Sequence, residues 1–447
     1  MMNSKIGILV TALCGAAAIA PAHAELVRNA TVVGANFDLG QVVRGYVSNT
    51  ANNNGTLNGQ VLTRTGVYVT ESGTYNQRLA IHLTMGGLFW YPLTEGTSFA
   101  TRLIHFGPGI GQAQGEFSFG NVEDPAAKLQ FGLFPMKYNS DAKDLGEYLY
   151  RSGTYPGYIQ TGGWSFVDAA AYMAEGVRLN VSTFGGKLQH DVTLFMERDI
   201  EPNGDLTPGY IITAKPSKAF EISAGGVWAH GIQLRADTVI SPNISGNAYN
   251  KMGGVPLLVS GLSYDSLKAL GQVGYYTFKG FKVMTRASID FGALMGADAI
   301  QPDDFKLYAE AAILGVKDYA YYYNKLSERM PIMMGLNIPT FKLLDRLSVE
   351  AEYRKSRFPD DIHSTLQSAL PVPVDNPQDY PDSSTYTKDD IHWSIYARRK
   401  LRDGISLCGQ IASDHFRPFD NQAAPSYLSA TNRTGQWYYL LRLEIGI

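Results

Sequence analysis

The sequence predicts an all-β protein: a closed antiparallel transmembrane β-barrel of about 16 to 18 strands, with short periplasmic turns and long extracellular loops. Three observations predict it. An export signal opens the chain, no later segment is apolar enough for a membrane-spanning helix, and strand-like segments alternate large apolar with polar side chains.

The first residues have the layout of a cleavable secretory signal. Lys5 precedes an apolar stretch from Ile6 to Ala20, and the small-residue site Ala22-His23-Ala24 follows. The stretch is short for a bilayer-spanning helix, and small residues suit a signal peptidase. We therefore expect residues 1–24 to be removed and the mature chain, 25–447, to form the barrel. The alternative is an anchor helix that stays attached.

Composition narrows the class of exported protein. Of 2 cysteines, Cys14 leaves with the signal, so Cys408 has no partner for an intramolecular disulfide. The net charge of -3 argues against nucleic acid as a partner, because such proteins carry a basic face. The chain has 46 Gly, 27 Tyr and 20 Phe but only 18% charged residues. That balance suits a barrel with one apolar and one wet face.

If the protein lies in a membrane, its sheet must be closed. Past Ala24 no run of about 18 apolar residues occurs, so no transmembrane helix can be drawn. A sheet in lipid must close on itself, because an open edge leaves backbone N–H and C=O groups unpaired at several kcal/mol each.

The C-terminal segment carries the strongest strand pattern. From Gln436 to Ile447 every odd position is large and apolar, whereas the even positions include Gln436, Arg442 and Glu444. Successive side chains of a strand point to opposite faces, so one face would meet lipid and the other mostly water. Similar patterns predict further strands at Val177–Thr183, Leu188–Met196, Phe281–Phe291, Phe305–Ile313, Ile332–Ile338, Leu347–Arg354, Ile391–Leu401 and Ile405–Ile411.

Alternating connection lengths separate a barrel of this kind from a soluble sandwich. Tight turns are predicted at Lys342–Asp345 and Arg402-Asp403-Gly404, and long loops at Phe358–Asp390 and about Phe416–Gly435. Gly185-Gly186 and Lys279-Gly280 would form further hairpin turns. Short and long connections in strict alternation are what periplasmic turns and extracellular loops produce.

In these features the chain resembles porin-type outer-membrane barrels over most of its mature length. Its C-terminal strand is similar to the signal read by the barrel-assembly machinery, although it ends in Ile447 rather than an aromatic residue. The resemblance implies an outer-membrane location, contact with outer-membrane lipid and an aqueous lumen for small hydrophilic solutes, and it leaves an oligomer open. The segment 25–58 has an alternative interpretation as a periplasmic extension.

No motif favours an enzyme. His190-Asp191 and Asp414-His415 each pair an imidazole with a carboxylate, but neighbours on a strand face opposite sides and cannot form one dyad. The histidines lack the clustered spacing of a metal site, and no cofactor motif is complete. We expect a weakly selective diffusion pore. A structural or adhesive barrel with a plugged lumen is the alternative, and a barrel hydrolase is the third hypothesis.

The inward positions mix both signs of charge, which predicts little preference between small cations and anions. A long segment, Asn139–Gly176, is expected to fold into the lumen as porin loops do, with a short helix over Ala142–Arg151. Its alternative is a strand pair, Tyr158–Ser165 with Val167–Met173. The predicted pore-lining residues are Glu147, Arg151, Arg286, Glu310, Glu350, Arg398 and Arg442.

Overall fold

In a computed structural model, sixteen described strands form one closed antiparallel barrel, which confirms the predicted fold class. The structure describes residues 26–48, 54–56, 58–59, 61–90, 105–121, 123–154, 159, 172–197, 204–232, 234, 280–296, 300–316, 325–355, 390–414 and 435–447. The predicted signal, residues 1–24, lies outside them. No helix among the described residues is long and apolar enough to cross a membrane.

The strands, in chain order, are β1 (Leu26–Arg44), β2 (Tyr46–Ser48), β3 (Asn54–Thr56), β4 (Val61–Tyr75), β5 (Leu79–Trp90), β6 (His105–Gly120), β7 (Pro125–Met136), β8 (Tyr172–Thr183), β9 (Leu188–Met196), β10 (Leu206–Ser217), β11 (Phe220–Ala229), β12 (Gly280–Asp290), β13 (Lys306–Ile313), β14 (Ile332–Asn337), β15 (Arg346–Tyr353), β16 (Ile391–Arg402), β17 (Ile405–Ala412) and β18 (Trp437–Gly446). β2 and β3 form a separate hairpin. The described helices are α1 (Tyr148–Arg151), α2 (Phe291–Met295) and a 3₁₀ turn, Leu326–Arg329.

Every other side chain of a strand faces outward, as the sequence pattern predicts. On β18 Leu441 is 48% exposed, whereas its neighbours Leu440 and Arg442 are buried. On β15 Tyr353 is exposed and Glu352 is buried. The outer surface is therefore an apolar belt, and the polar positions of the same strands face the interior.

The first and last barrel strands close the sheet. β1 pairs with β4 on one side and with β18 on the other, where Leu39 lies opposite Leu441. For residues 26–44 the alternative of a periplasmic extension differs from the structure, because β1 is a wall strand paired on both sides. No edge of the sheet is left open, as a membrane requires.

The two ends of the barrel differ in connection length. One end, which we call the short-turn end, carries tight turns after β4, β8, β10 and β16, and the start of β1 and the end of β18 lie there. The Gly185-Gly186 turn is confirmed, and both glycines have positive φ. The hairpin turn predicted at Lys279-Gly280 is wrong, because Gly280 begins β12 and pairs with Ala229. The bodies of the two predicted long loops before β16 and β18 lie outside the described residues.

Candidate functional site

The chain that leaves β7 runs inside the barrel. We call residues 137–154 the inner loop. Its apolar side chains Tyr138, Leu145, Tyr148 and Leu149 are buried, and they pack in one cluster with inward-facing wall residues. The wall residues of that cluster include Phe134, Phe195, Val227, Met284, Tyr308 and Met333. The hydrophobic core of this protein is therefore the contact between the loop and the barrel wall.

A wall carboxylate binds the first half of the inner loop. Glu350 on β15 accepts the backbone N–H groups of Lys143, Asp144 (2.8 Å) and Leu145 (2.9 Å). The same carboxylate accepts the phenol O–H of Tyr308 on β13 at 2.7 Å. Three successive N–H groups around one anion satisfy loop donors that have no helical or sheet partner.

A second wall carboxylate binds the other half. Glu310 on β13 accepts the backbone N–H groups of Glu147 and Tyr148, each at 3.1 Å. It also accepts the O–H of Tyr138 at 2.6 Å and the side-chain amide of Asn139 at 2.8 Å. Hydrogen bonds to an ionised acceptor are about twice as strong as neutral ones. Glu310 and Glu350 together fix the loop against β13–β15.

The loop helix is shorter than predicted. The sequence predicts Ala142–Arg151, but only α1, Tyr148–Arg151, is helical. Gly146 (φ 82°) and Glu147 (φ 60°) are left-handed, which ends any right-handed helix running through them. The Glu147 side chain turns back to accept the backbone N–H of Asn139 at 2.8 Å. Wall carboxylates take N–H groups that a longer helix would have used internally.

The predicted strand pair in this segment falls mostly outside the described residues. Its last residue, Met173, belongs to β8, which starts at Tyr172 rather than near Val177. An isolated bridge joins Ser152 to Ile159. The described part of the segment is thus an inserted loop.

Basic side chains hold the loop from other sides. Arg151 donates to the carbonyl of Asp144 at 2.9 Å, and Lys282 on β12 donates to the carbonyl of Ser152 at 2.7 Å. Arg286 on β12 donates to Asn139 at 3.3 Å and pairs with Glu221. Arg151, Lys282 and Arg286 therefore each donate a hydrogen bond to the inner loop.

The seven residues predicted to line the pore all face the interior. The structure gathers Glu147, Arg151, Arg286, Glu310 and Glu350 around the inner loop, where all five are buried. Arg442 and Arg398 lie instead near β18. Arg442 pairs with Asp38 at 2.6 Å across the β1–β18 seam, and Arg398 pairs with Glu444 at 3.3 Å.

The inner loop covers the polar inward side chains of β4–β8 less completely. Those described side chains are partly exposed or exposed, and they are mostly amides, hydroxyls and imidazole: Tyr68, Thr70, Ser72, His82, Thr84, Gln112, Gln114, Glu116, Lys128, Gln130 and Arg178. Gln130 bonds Gln114 at 2.7 Å, and Lys128 pairs with Glu116 at 2.8 Å. We call this surface the polar wall. The sequence does not predict this surface, because glycines interrupt the apolar alternation of β4–β6 and uncharged polar side chains do not mark a strand face as clearly as charges do.

Charges facing the interior are largely paired. Described pairs join Arg178 to Asp191 at 2.6 Å, Lys306 to Asp141 at 2.6 Å, and Lys215 to Glu221 at 3.2 Å. Compensated pairs weaken the field that a ring of one sign would set up.

Burial changes the acidity of two loop carboxyls. Burial raises the pKa of Glu147 to about 7, although Lys137 and Arg151 act in the opposite direction. Burial also raises the pKa of Asp144 well above its usual value, and the neighbouring Asp414 and Glu350 add to the rise. Both groups therefore lie in a site that disfavours negative charge.

The described residues include no cluster of three or more His, Cys, Asp or Glu that could hold a metal ion. The two members of the His190-Asp191 pair bind different partners on different faces: His190 bonds Tyr210 at 2.7 Å outside, and Asp191 meets Arg178 inside. His415 of the other pair lies beyond the described part of the chain.

Comparison with known proteins finds no matching protein-family model and no matching curated protein. Three solved structures are similar over most of their length. A mutant of the Rh. blastica porin is 10% identical with a TM-score of 0.41, covering 95% of this chain and 100% of that one. Salmonella typhi OmpF in complex with daunomycin is 9% identical, TM-score 0.44, covering 94% and 97%. Pseudomonas putida OprB is 10% identical, TM-score 0.49, covering 94% of each chain.

Such low values support no inference about what this chain does. Its own strand pairing carries the fold: a closed antiparallel barrel of sixteen described strands, with a loop inserted through its middle. The architecture is that of a closed antiparallel β-barrel with an inner loop packed on its wall.

Proposed function

We propose that the protein is an outer-membrane pore through which small hydrophilic solutes diffuse passively and with weak selectivity. One observation carries the proposal: the inner loop packs on apolar side chains of β7–β14 and leaves the polar inward side chains of β4–β8 partly exposed inside the same barrel. Water and hydrophilic solutes pass along a wall of amides and hydroxyls at low cost, because those groups exchange hydrogen bonds with them.

The outer surface supports the location. Exposed apolar side chains face outward on β1, β4, β5, β7 and β11, for example Phe37, Val67, Met85, Phe131 and Ile222. In water so large an apolar surface would be an association site, whereas in a bilayer it meets lipid tails. Outer-membrane lipid and the barrel-assembly machinery are the corresponding partners, and a homo-oligomer fits the same class.

Weak selectivity follows from charge pairing. The interior has both signs, and the pairs Arg442–Asp38, Arg178–Asp191 and Lys128–Glu116 each combine one cation with one anion. A pore of this kind separates solutes mainly by size. No reaction is assigned to it.

Planar-bilayer recording tests the proposal. Purified, folded protein is expected to insert in discrete conductance steps in potassium chloride, with a small reversal potential under a salt gradient. Folded protein that gives no conductance steps in the bilayer would favour the second candidate, a structural or adhesive barrel with a plugged lumen. That candidate draws support from how completely the inner loop fills the space beside β12–β15.

A barrel hydrolase is the third candidate. It predicts turnover of lipid or peptide substrates that is lost when one polar interior residue is replaced. Conductance steps without such turnover would reject it.

A further inference from the structure

A second feature of the interior is a cavity at the short-turn end, beneath the inner loop. Its volume is about 680 Å³, within the range of small-molecule sites. The loop residues Ser140, Asp141 and Lys143 cover it from inside. The β8–β9 and β10–β11 turns, the end of β12, the β12–β13 connection and the starts of β13 and β15 complete its lining.

The lining is rich in positive charge. Six basic side chains face four acidic ones, an excess of two positive charges: Lys143, Lys187, Lys215, Lys218, Lys306 and Arg346 against Asp141, Glu221, Asp290 and Asp303. The acids are already engaged. Asp141 and Asp303 bind Lys306 at 2.6 and 3.0 Å, and Glu221 binds Lys215.

Three lysines are brought together by the turns. The backbone N–H of Lys215 donates to the carbonyl of Lys187 at 2.8 Å, so these two residues lie side by side on adjacent chains. Lys218 follows in the β10–β11 turn, three positions later. Lys187 and Lys218 are exposed, and within the described part of the chain neither has an acidic partner. Lys187 and Lys218 thus bring two positive charges without described acidic partners to one lining, where a bound anion would reduce their repulsion.

The chemistry of the lining favours a phosphate group over a sugar face. Its one aromatic residue, Phe220, is 43% exposed on the outer surface, so no ring is available inside for stacking. Serine hydroxyls of Ser140, Ser217 and Ser288 add neutral donors beside the lysines. Lysine ammonium groups bind phosphate oxygens as point charges.

We propose that this cavity binds the phosphate group of small dianionic solutes, such as phosphate monoesters or free phosphate, at the short-turn mouth of the pore. The proposal rests on the proposed function for its role in transport, since the bound solute would be passing through the lumen. Binding at the mouth leaves the paired charges farther inside unchanged. The preference for anions would therefore be confined to low ionic strength, where screening is weak.

Calorimetry with inorganic phosphate tests the site on full-length protein in detergent. At about pH 8 phosphate is mainly a dianion, and at about 0.01 M ionic strength the Debye length is about 30 Å. The double variant Lys187→Gln/Lys218→Gln is expected to weaken phosphate binding by about three- to tenfold. Lys187→Arg/Lys218→Arg retains both charges and is expected to keep the affinity. Lys128→Gln, which removes a paired lysine of the polar wall, is the matched control and should bind as the wild type does.

The phosphate site and the pore are tested by different measurements, so either proposal can be rejected without the other. No saturable binding by the wild-type protein, or equal binding by the Gln and Arg double variants, overturns the cavity site even if the bilayer shows conductance steps. Saturable, lysine-dependent binding by a barrel that shows no conductance supports the site and counts against the pore. Addition of phosphate to one side of a bilayer then gives the direction: partial block from the short-turn side only is the supporting result, and equal block from both sides contradicts it.

Discussion

The Glu350 carboxylate accepts the backbone N–H of Asp144 at 2.8 Å, which ties a strand of the barrel wall to a loop 206 residues earlier in the chain. The neighbouring N–H groups of Lys143 and Leu145 share that carboxylate. This inward-facing acid is the acceptor that holds the inner loop in place. The wall and the loop therefore depend on each other.

Replacement of this anchor should loosen the loop. In Glu350→Gln one carboxylate oxygen becomes an NH2 donor, so at least one of the three loop N–H groups loses its acceptor and the charge that strengthens the others is lost; the free energy of unfolding is expected to fall by about 3 kcal/mol. Single-channel conductance should rise or fluctuate as the loop moves. Urea unfolding in lipid and bilayer recording measure the two effects.

Glu116→Gln is the matched control, because that carboxylate lies on the partly exposed polar wall and binds Lys128 alone among the described residues. Its cost should stay under about 1 kcal/mol. Equal effects of the two substitutions would show that Glu350 is not an anchor.

Gly335 on β14 should be required for the same contact. It lies between Tyr308 and Glu350 in the sheet, and the Tyr308 ring crosses over it to reach the carboxylate. A Cβ at Gly335 would sit 2.1 Å from the ring atom Cε2 of Tyr308. We expect Gly335→Ala to displace the ring and destabilise the barrel by about 1 to 3 kcal/mol.

Gly409→Ala on β17 is the control, since an added Cβ there meets only a flexible leucine side chain at 3.4 Å. Thermal unfolding followed by gel mobility compares the two. A Gly335→Ala barrel as stable as Gly409→Ala would contradict the required close approach.

The contacts of Glu310 and Glu350 with the inner loop could be predicted from the sequence only in part. The strand alternation of β15 and β18 was predicted because each buried or exposed face repeats every second residue within a few positions. The inward direction of Glu310 and Glu350 followed from the same period. The loop N–H groups that Glu310 and Glu350 bind could not be predicted. These carboxylates lie on strands far along the chain from the loop, and sequence spacing carries no information on such a contact. The left-handed Glu147 was missed for a local reason: it is not a residue type that marks such a conformation.

The polar wall was missed for a different reason. β6, His105–Gly120, contains Gly107, Gly109, Gly111 and Gly115, so it lacks the row of large apolar residues by which strands are recognised. Register slips between Thr84 and Met85 also break the period of two. The strands of the polar wall therefore show a weaker alternation of apolar and polar residues than the strands near the C-terminus.

The stability of the loop should depend on pH through Glu147. Burial raises its pKa from 4.5 to about 7. Between these pH values the folded protein holds a proton that the unfolded chain has lost, so the free energy of unfolding falls as pH rises through this window. The raised pKa corresponds to about 3 kcal/mol lost by about pH 8.

Glu147→Gln is neutral at every pH and keeps an oxygen to accept the N–H of Asn139. Urea unfolding at about pH 5 and pH 8 should find the variant close to the wild type at the lower pH and more stable at the higher one. A difference between the two proteins that does not change with pH would contradict the prediction. Asp144 titrates in both proteins, so its contribution cancels.

Deletion of residues 144–155 should widen the pore and change its selectivity together. The deletion removes the N–H groups of Asp144, Leu145, Glu147 and Tyr148 that Glu310 and Glu350 accept. These carboxylates would then face water in a wider lumen, without the loop that covers them. Conductance is expected to rise, and the reversal potential in a potassium chloride gradient should shift toward potassium, because carboxylates at one level attract cations.

A combined variant separates the two effects. Glu310→Gln and Glu350→Gln in the deletion background should retain the larger conductance and lose the potassium preference, since size depends on the missing loop and selectivity on the exposed carboxylates. Circular dichroism and heat-modifiable gel mobility establish that each barrel is folded. A folded deletion variant with wild-type conductance would place the constriction elsewhere, and a larger conductance without a shift toward potassium would mean that the two carboxylates remain neutralised after the loop is gone.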